Sequence, residues 1–236
     1  MKELGESTRS VHAGFEPDEK TGSVQTPIFQ TSTYVQSTPG VHKGYEYSRT
    51  ANPTRSALEK NLAKLESGKY GLCFSSGLAA IDSIIKLLKP GDEVLSSNHE
   101  YGAVEKTWKF VANKKGFSYR SVDIPLPFNS DEFINKIKEN INANTKVIFL
   151  SHITSPTAII FPIEEICKLA KKLNILTIID GAHAPAHINL NLENLGADIY
   201  TGACHKWMLC PKGVAFLYAA KKIQKKLEPL VVSWGW

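Results

Sequence analysis

A lysine, an aspartate and a serine-glycine turn are the residues of this sequence whose types and spacing could do chemistry together. Lys206 lies in the run TGACHKW, Asp180 ends the strand-like run ILTIID, and Ser76-Gly77 lies between a strand-like and a helix-like segment. An amine can hold an aldehyde as an imine, a carboxylate can keep a pyridine nitrogen protonated, and N–H groups at a helix N-terminus can bind a phosphate. Together these groups indicate a site for pyridoxal 5'-phosphate (PLP).

Each of these residues also has a more ordinary explanation. Serine before a helix is a common N-cap, an aspartate at a strand end often caps the next turn, and a lysine is usually an exposed charge. The turn lacks the lysine and spacing of a nucleotide P-loop, and GxGxxG does not occur, so ATP or NAD is a weaker interpretation. The PLP interpretation therefore depends on the three groups lying close together.

The remaining histidines and cysteines do not indicate a metal site. His183 and His187 are four residues apart, but Pro185 lies between them and the sequence offers no evident third ligand. The four cysteines are scattered without a CxxC pair, so neither a disulfide framework nor a zinc ribbon is expected. Cys204, beside His205 and Lys206, is interpreted as a packed small residue rather than a reactive thiol.

Composition limits the partners of the chain. The 236 residues carry a net charge of +5, and the lysines cluster in helix-like stretches without interleaved aromatic residues, so no nucleic-acid binding is expected. No apolar run approaches the roughly 20 residues of a membrane helix, and the start MKELGESTRS lacks an apolar signal segment. We therefore expect a soluble cytoplasmic protein without a membrane partner.

The order of elements predicts an α/β fold with three layers. Residues 1–50 are rich in Thr, Ser, Gly and Pro and are expected to form an extended arm, while 51–236 form one large domain. A helix begins after Asn52-Pro53, and strand-like and helix-like runs then alternate as far as ILTIID. This order is typical of a mostly parallel sheet with helices on both faces, which binds ligands beyond the carboxyl ends of its strands.

Longer motifs resemble two branches of the aspartate-aminotransferase superfamily of PLP enzymes. The segments STRSVHAGFEPDEKTGSVQTPIFQTSTY, YEYSRTANPTR and CFSSGLAAI, within residues 1–101, resemble the Cys/Met-metabolism branch of cystathionine γ-synthases and lyases. From residue 98 to 236, the segments NHEYGAVEKTW, SHITSPTAIIFPIEEI and DGAHAPAHINLNLENLGADIYTGACHKW resemble class V aminotransferases of the isopenicillin N epimerase type. The S-x-T-K signature of the first branch is replaced by Ala203-Cys-His-Lys206.

The resemblance implies a set of cofactor contacts. Lys206 would form the Schiff base with PLP, Asp180 would pair with the ring nitrogen, and His183 and Ser155 would lie near the ring oxygen. Class V enzymes place a residue like His99 over the ring and Cys/Met enzymes one like Tyr101, and the surrounding HEYGA favours His99. The residues implied for the phosphate are Ser76, Gly77, Leu78, Thr201 and His205, with Tyr47 and Arg49 reaching from a neighbouring subunit.

The resemblance also implies the fold and the function. The expected fold is the PLP-transferase large domain with an N-terminal arm and no C-terminal small domain, in a homodimer or higher homo-oligomer that acts on an amino acid. Class V epimerase or aminotransferase-like chemistry is the main expectation. The alternatives are β or γ elimination or replacement at a sulfur amino acid, or a chain that binds PLP without turnover.

Overall fold

The computed structural model describes residue 8, residues 12–85 and residues 87–227, with Leu78, Asp82 and Ser83 described through their backbone alone. These residues fall into two compact units that divide between Cys73 and Phe74. Each unit is described by itself below, and the sequence-based division at residue 50 stays a prediction. None of the helices in the described ranges has the length and apolarity needed to cross a membrane.

The first unit combines an extended chain with one long helix. The strands β1 (Gln36–Thr38) and β2 (Val41–His42) pair antiparallel, and helix α1 spans Pro53–Leu65. The predicted helix start is confirmed, because the side chain of Asn52 accepts hydrogen bonds from the N–H groups of Thr54 and Arg55. The same asparagine donates from Nδ2 to the carbonyl oxygen of Phe29 at 2.9 Å, so the helix start also holds the arm.

The second unit is built on a sheet whose strands are mostly parallel. The strand bounds are β3 Leu72–Phe74, whose last residue is the first of this unit, β4 Glu93–Ser97, β5 Ser118–Val122, β6 Thr145–Ser151, β7 Leu176–Asp180, β8 Ile199–Ala203 and β9 Ala215–Ala219. In the described part of the chain the strand order is β3-β9-β8-β7-β6-β4-β5. Neighbouring strands from β5 to β8 run parallel, and β9 runs antiparallel to β8. The predicted α/β class with a mostly parallel sheet is confirmed.

The helices between the strands follow the apolar periodicity of the sequence. Their bounds are α2 Gly77–Ile85, α3 Gly102–Lys115, α4 Ser130–Glu139, α5 Ile163–Lys172, α6 Leu192–Leu195 and α7 Lys221–Gln224. Helix α4 begins where Asn129 accepts from the Glu132 N–H, and α3 ends at Gly116, whose left-handed backbone (φ 75°) suits glycine.

A glycine lets β7 and β8 approach each other at the end of the sheet. Gly181 follows β7 directly, and a Cβ atom at this position would overlap the ring of Tyr200. Tyr200 is fully buried and its hydroxyl contacts His152 Nδ1 at 2.9 Å. A side chain at Gly181 would therefore displace a packed aromatic ring, so the close approach requires glycine here.

At the amino end of the sheet, a buried carboxylate joins three strands. Glu93 of β4 accepts hydrogen bonds from Arg120 of β5 through both of its oxygens, and from Thr145 of β6 at 2.7 Å. Burial by itself would raise the pKa of Glu93, but the bonds from Arg120, Thr145 and Asn142 hold that pKa below its ordinary value. The negative charge at this end is therefore paired inside the protein.

Trp108 belongs to the hydrophobic core of the second unit. Its side chain is fully buried, with ring centroids 5.5 Å from Phe149 and 6.2 Å from Phe117. Its indole N–H makes no hydrogen bond to the described residues. Trp108 therefore stabilises the unit through packing alone.

We expect Trp108→Ala to lower the free energy of unfolding by about 3–5 kcal/mol, because it leaves a large cavity. Trp108→Phe should cost less than about 2 kcal/mol, since it keeps an aromatic ring and removes the unpaired N–H. Urea denaturation measures both values. Equal losses for the two variants would contradict this account of the core.

Candidate active site

Strand register brings three polar residues side by side at the carboxyl end of the sheet. Ser151 of β6 pairs with Asp180 of β7, and Asp180 pairs with Thr201 of β8. The next backbone bonds continue the pattern, since His152 N–H donates to the carbonyl of Asp180 and Gly181 N–H donates to that of Thr201. The parallel pairing therefore places the predicted carboxylate beside the segment that carries the predicted lysine.

A narrow pocket opens at this edge of the sheet. Its lining combines ends of β6 and β7 with the loops after β4 and β8, and consists of Tyr101, Ser151, Ile153, Ser155, Asp180, Ala182, His183 and Lys206. Lys206, Asp180, His183, Tyr101 and Ser155 were all expected near the cofactor from the sequence. The structure brings these five residues together in one pocket.

The amine of Lys206 lies against His183 inside the pocket. The distance between Lys206 Nζ and His183 Nε2 is 3.0 Å, and the centre of the Tyr101 ring is 6.0 Å from Nζ. Burial lowers the pKa of Lys206 below its ordinary value, while the charge of Asp180 acts in the opposite direction. A lowered pKa increases the neutral fraction of the amine, which is the form that attacks an aldehyde.

Asp180 meets the requirement for pairing with a protonated ring nitrogen. Its side chain is 7% exposed, and Oδ1 accepts a hydrogen bond from Ala182 N–H at 2.9 Å. The carboxylate also lines the pocket. Burial raises the pKa of Asp180, opposed by the Ala182 N–H and by Lys206. A cationic partner at Oδ2 would relieve the cost of this buried charge, so the residues present fit PLP.

His183 is held by a tryptophan and by a second histidine. Trp207 Nε1 donates to His183 Nδ1 at 3.2 Å, and the Trp207 ring stacks on His187 with centroids 4.1 Å apart. His187 Nδ1 lies 3.1 Å from the carbonyl oxygen of His183. Burial, Lys206 and His187 all lower the pKa of His183, which favours its neutral form. The two histidines thus contact one another and Trp207.

Glu100 is a buried acid that the sequence analysis did not identify. Its Oε2 accepts from Ser151 N–H at 2.8 Å and Ser151 Oγ at 2.6 Å, and its Oε1 accepts from Ser97 Oγ at 2.7 Å. Burial raises the pKa of Glu100 to about 7, and the charge of Asp180 adds to that rise, although the serines oppose it. Its position just after a buried strand end is the signal that could have identified it.

The structure does not support the expected stacking role of His99. Its side chain is buried away from the pocket, with Nε2 2.9 Å from the carbonyl oxygen of Ile124 and Nδ1 3.2 Å from Thr157 Oγ1. The ring packs against Phe161 in a T-shaped arrangement, with centroids 6.3 Å apart. Tyr101 lines the pocket instead, two residues later and at the start of α3. The geometry therefore favours Tyr101, as the Cys/Met branch implies.

The residues expected to bind phosphate are less closely grouped. Ser76 Oγ accepts from Ala79 N–H at 3.1 Å, so the serine caps α2, whose first residues are Gly77 and Leu78. Thr201 is buried in β8 and His205 is exposed, and neither lines the pocket. A serine that caps a helix does not prevent an anion from binding at the same helix start. The phosphate contacts expected from the sequence therefore stay a prediction.

Tyr47 and Arg49 lie in the first unit, where they contact each other. The guanidinium of Arg49 is 5.0 Å from the centre of the Tyr47 ring. Tyr47 is half-buried and Arg49 is exposed. Their predicted contact with a neighbouring subunit's phosphate stays a prediction.

Comparisons with known proteins agree with the pocket chemistry. The family model for the Cys/Met metabolism PLP-dependent enzymes matches residues 7–227. Cystathionine beta-lyase of Coxiella burnetii is 42% identical over 202 residues, which are 85% of this chain and 50% of that protein. Isopenicillin N epimerase of Streptomyces clavuligerus is 37% identical over 157 residues, 66% of this chain and 39% of that protein.

A solved structure matches the fold over nearly the whole chain. The crystal structure of metB from Corynebacterium glutamicum has a TM-score of 0.79 and 34% identity, and the match covers 94% of this chain and 57% of that one. The chain therefore spans about half the length of the curated relatives it matches. The resemblance to both branches is confirmed, with the broader coverage on the Cys/Met side.

The raised pKa of Glu100 predicts a slope of stability with pH. Between pH 4.5 and about 7 the folded chain retains a proton that the unfolded chain has lost. The free energy of unfolding should therefore fall as the pH rises through this window, by on the order of 3 kcal/mol. Glu100→Gln, which cannot titrate, should lose this part of the slope.

Urea denaturation at several pH values measures the slopes. Glu139→Gln replaces an exposed glutamate at the end of α4 and is the control, which should keep the wild-type slope. If Glu100→Gln and wild type show parallel curves from pH 4.5 to 7, Glu100 does not hold a proton in the folded chain.

Proposed function

This chain belongs to the Cys/Met metabolism family of PLP-dependent enzymes, and we propose that it serves the cleavage or exchange of a carbon–sulfur bond in a sulfur amino acid. Cystathionine is the substrate class suggested by the names of the relatives. The structural observation that carries the proposal is one pocket with a partly desolvated amine, Lys206, and a buried carboxylate, Asp180.

The comparisons change the order of the functions expected from the sequence. Class V epimerase-like chemistry was the main expectation, but the family model covers residues 7–227 on the Cys/Met side. The position of Tyr101 in the pocket also follows the Cys/Met pattern. Carbon–sulfur chemistry, the alternative in the sequence analysis, is therefore the better supported function.

Each residue of the pocket would have a separate role in the reaction. When bound, PLP supplies an aldehyde that bonds an amine and a ring that withdraws electrons from the substrate carbon. Asp180 would hold the ring nitrogen in its protonated state, and Tyr101 would cover the ring. Lys206 would bind the cofactor, and its free amine would take a proton from the carbon next to the substrate carboxylate and return it at the leaving sulfur. Ser76 and the start of α2 would receive the phosphate.

Lys206→Ala should abolish covalent PLP binding and lower thiol release from cystathionine by roughly 10²–10⁴-fold, the range of a lost acid-base group. A visible absorbance band after PLP addition, as expected for a protonated imine of this cofactor, reports the covalent bond. A thiol reagent and a 2-oxo acid assay report turnover. Lys212→Ala, which removes an exposed lysine from the same loop, should behave as wild type.

Other outcomes would separate the competing functions. Racemisation of an amino acid without thiol release would favour epimerase-type chemistry. A bound cofactor that alters no amino acid, cystathionine included, would support PLP binding without turnover. Either result overturns the proposed carbon–sulfur function.

We also propose that Tyr47 and Arg49 contact the phosphate in a second copy of the chain. A bidentate Arg side chain is well suited to phosphate, and the exposed guanidinium of Arg49 rests over the Tyr47 ring. This arrangement makes the active unit a homodimer in which each site takes residues from both copies.

Mixing two inactive variants tests this exchange. Arg49→Ala chains lack the phosphate contact and Lys206→Ala chains lack the amine, so each alone should be deficient. If Arg49 acts across the dimer, unfolding and refolding an equal mixture should restore about a quarter of the wild-type sites, because half of the dimers are mixed and each has one intact site. No recovery would show that Arg49 does not act across the interface.

A further inference from the structure

Three side chains form a continuous chain of contacts that ends at the Lys206 amine. Trp207 Nε1 lies 3.2 Å from His183 Nδ1, and His183 Nε2 lies 3.0 Å from Lys206 Nζ. His183 therefore contacts one neighbour through each ring nitrogen. The protonation of each nitrogen follows from what its neighbour can donate or accept.

The indole of Trp207 restricts His183 to one tautomer. An indole N–H can only donate, so Nδ1 of His183 must accept and cannot carry a proton. An imidazolium has protons on both nitrogens and is therefore incompatible with this contact. The neutral ring that remains carries its proton on Nε2.

The same tautomer decides the state of the lysine. Because Nε2 carries the proton, it donates toward Lys206 Nζ, and the amine must accept through a lone pair. An ammonium group has three donors and no lone pair, so it cannot complete this arrangement. The contacts are satisfied together only when Lys206 is neutral.

We propose that Trp207 is a positioning residue that fixes His183 as the Nε2–H tautomer and thereby holds the Lys206 amine neutral and ready to bind an aldehyde. The consequence for PLP rests on the proposed function, whereas the tautomer rests on the contact between Trp207 and His183 alone. Trp207 itself touches His183 and His187, not the amine.

The stacked histidine keeps the indole in place. The Trp207 and His187 rings are 4.1 Å apart with an angle of 22° between their planes. His187 Nδ1 faces the carbonyl oxygen of His183. His187 therefore contacts the backbone of His183, while Trp207 contacts the imidazole ring of the same residue. Although Trp207 is 49% exposed, both of its contacts are specific.

Other groups around Lys206 act in both directions. The charge of Asp180 and the ring face of Tyr101 favour the ammonium form, since both attract a cation. Glu100 lies near Asp180 and carries its own negative charge only above about pH 7. Burial and the Nε2–H donor favour the neutral amine. Because the effects that favour the ammonium and the neutral amine oppose each other, one hydrogen bond is enough to change the proportion of neutral lysine.

The first test measures the tautomer in the cofactor-free chain. Two-bond ¹H–¹⁵N correlation spectra of the protein with labelled histidine distinguish the two tautomers, and the His183 signal is identified by its loss in His183→Gln. We expect the Nε2–H form in the wild type and a mixture of forms in Trp207→Phe, which keeps the stacked ring and loses the N–H. A wild-type Nδ1–H form would overturn the proposal.

The second test measures the neutral fraction of Lys206 by its rate of covalent bonding to added PLP, trapped with borohydride. In Trp207→Phe the pH at half-maximal rate should rise by about one unit, because one hydrogen bond that favours the neutral amine is weakened, so the rate near pH 7 falls about tenfold. At high pH both proteins should react equally. A purely structural defect would lower the rate at every pH and leave the midpoint unchanged, and this result would also overturn the proposal.

Controls keep the two proposals apart. Leu209→Ala removes an exposed side chain from the same loop and should leave the tautomer and the midpoint unchanged. Thermal denaturation shows whether Trp207→Phe remains folded. If the wild type forms no PLP bond at any pH, the proposed function fails, and the tautomer of the cofactor-free chain still decides the role of Trp207.

Discussion

The buried charge of Asp180 is the constraint on which the rest of the pocket depends. A carboxylate that is 7% exposed must be paired or hydrogen-bonded, or it takes up a proton. At the other end of the sheet, Glu93 has its full set of partners from Arg120, Thr145 and Asn142. Asp180 has one backbone N–H and the nearby lysine. The difference between the two acids distinguishes a structural end of the sheet from a reactive one.

The charge of Asp180 also affects the protonation of its neighbours. Burial raises the pKa of Glu100 to about 7, and the nearby charge of Asp180 adds to that rise. The pKa of Lys206 is subject to opposing effects. The carboxylate of Asp180 stabilises the ammonium form, while burial and His183 favour the neutral amine. The charge state of the pocket is therefore set by a few contacts of similar strength, which is a useful property in a site that must move protons.

The mixed resemblance of the sequence has a simple structural basis. The loop after β4, where the two patterns meet, places both candidate rings within three residues, His99 and Tyr101. The first turns into the protein, where Ile124 and Thr157 bind its nitrogens, and the second turns into the pocket. A segment that resembles class V enzymes in sequence thus presents the aromatic ring expected of the Cys/Met branch.

The sequence by itself determined the α/β class, most helices and strands, and the expectation that Lys206 and Asp180 share one site. Apolar periodicity and local caps such as Asn52 are short-range properties, which is why they can be identified from neighbouring residues. Tertiary structure alone decided that Tyr101 lines the pocket, that Glu100 is buried beside Ser151, and that Trp207 reaches His183. The contact of Trp207 with His183 spans 24 positions and that of Ser151 with Glu100 spans 51, and their donors and acceptors become defined only when strand register and burial bring them together.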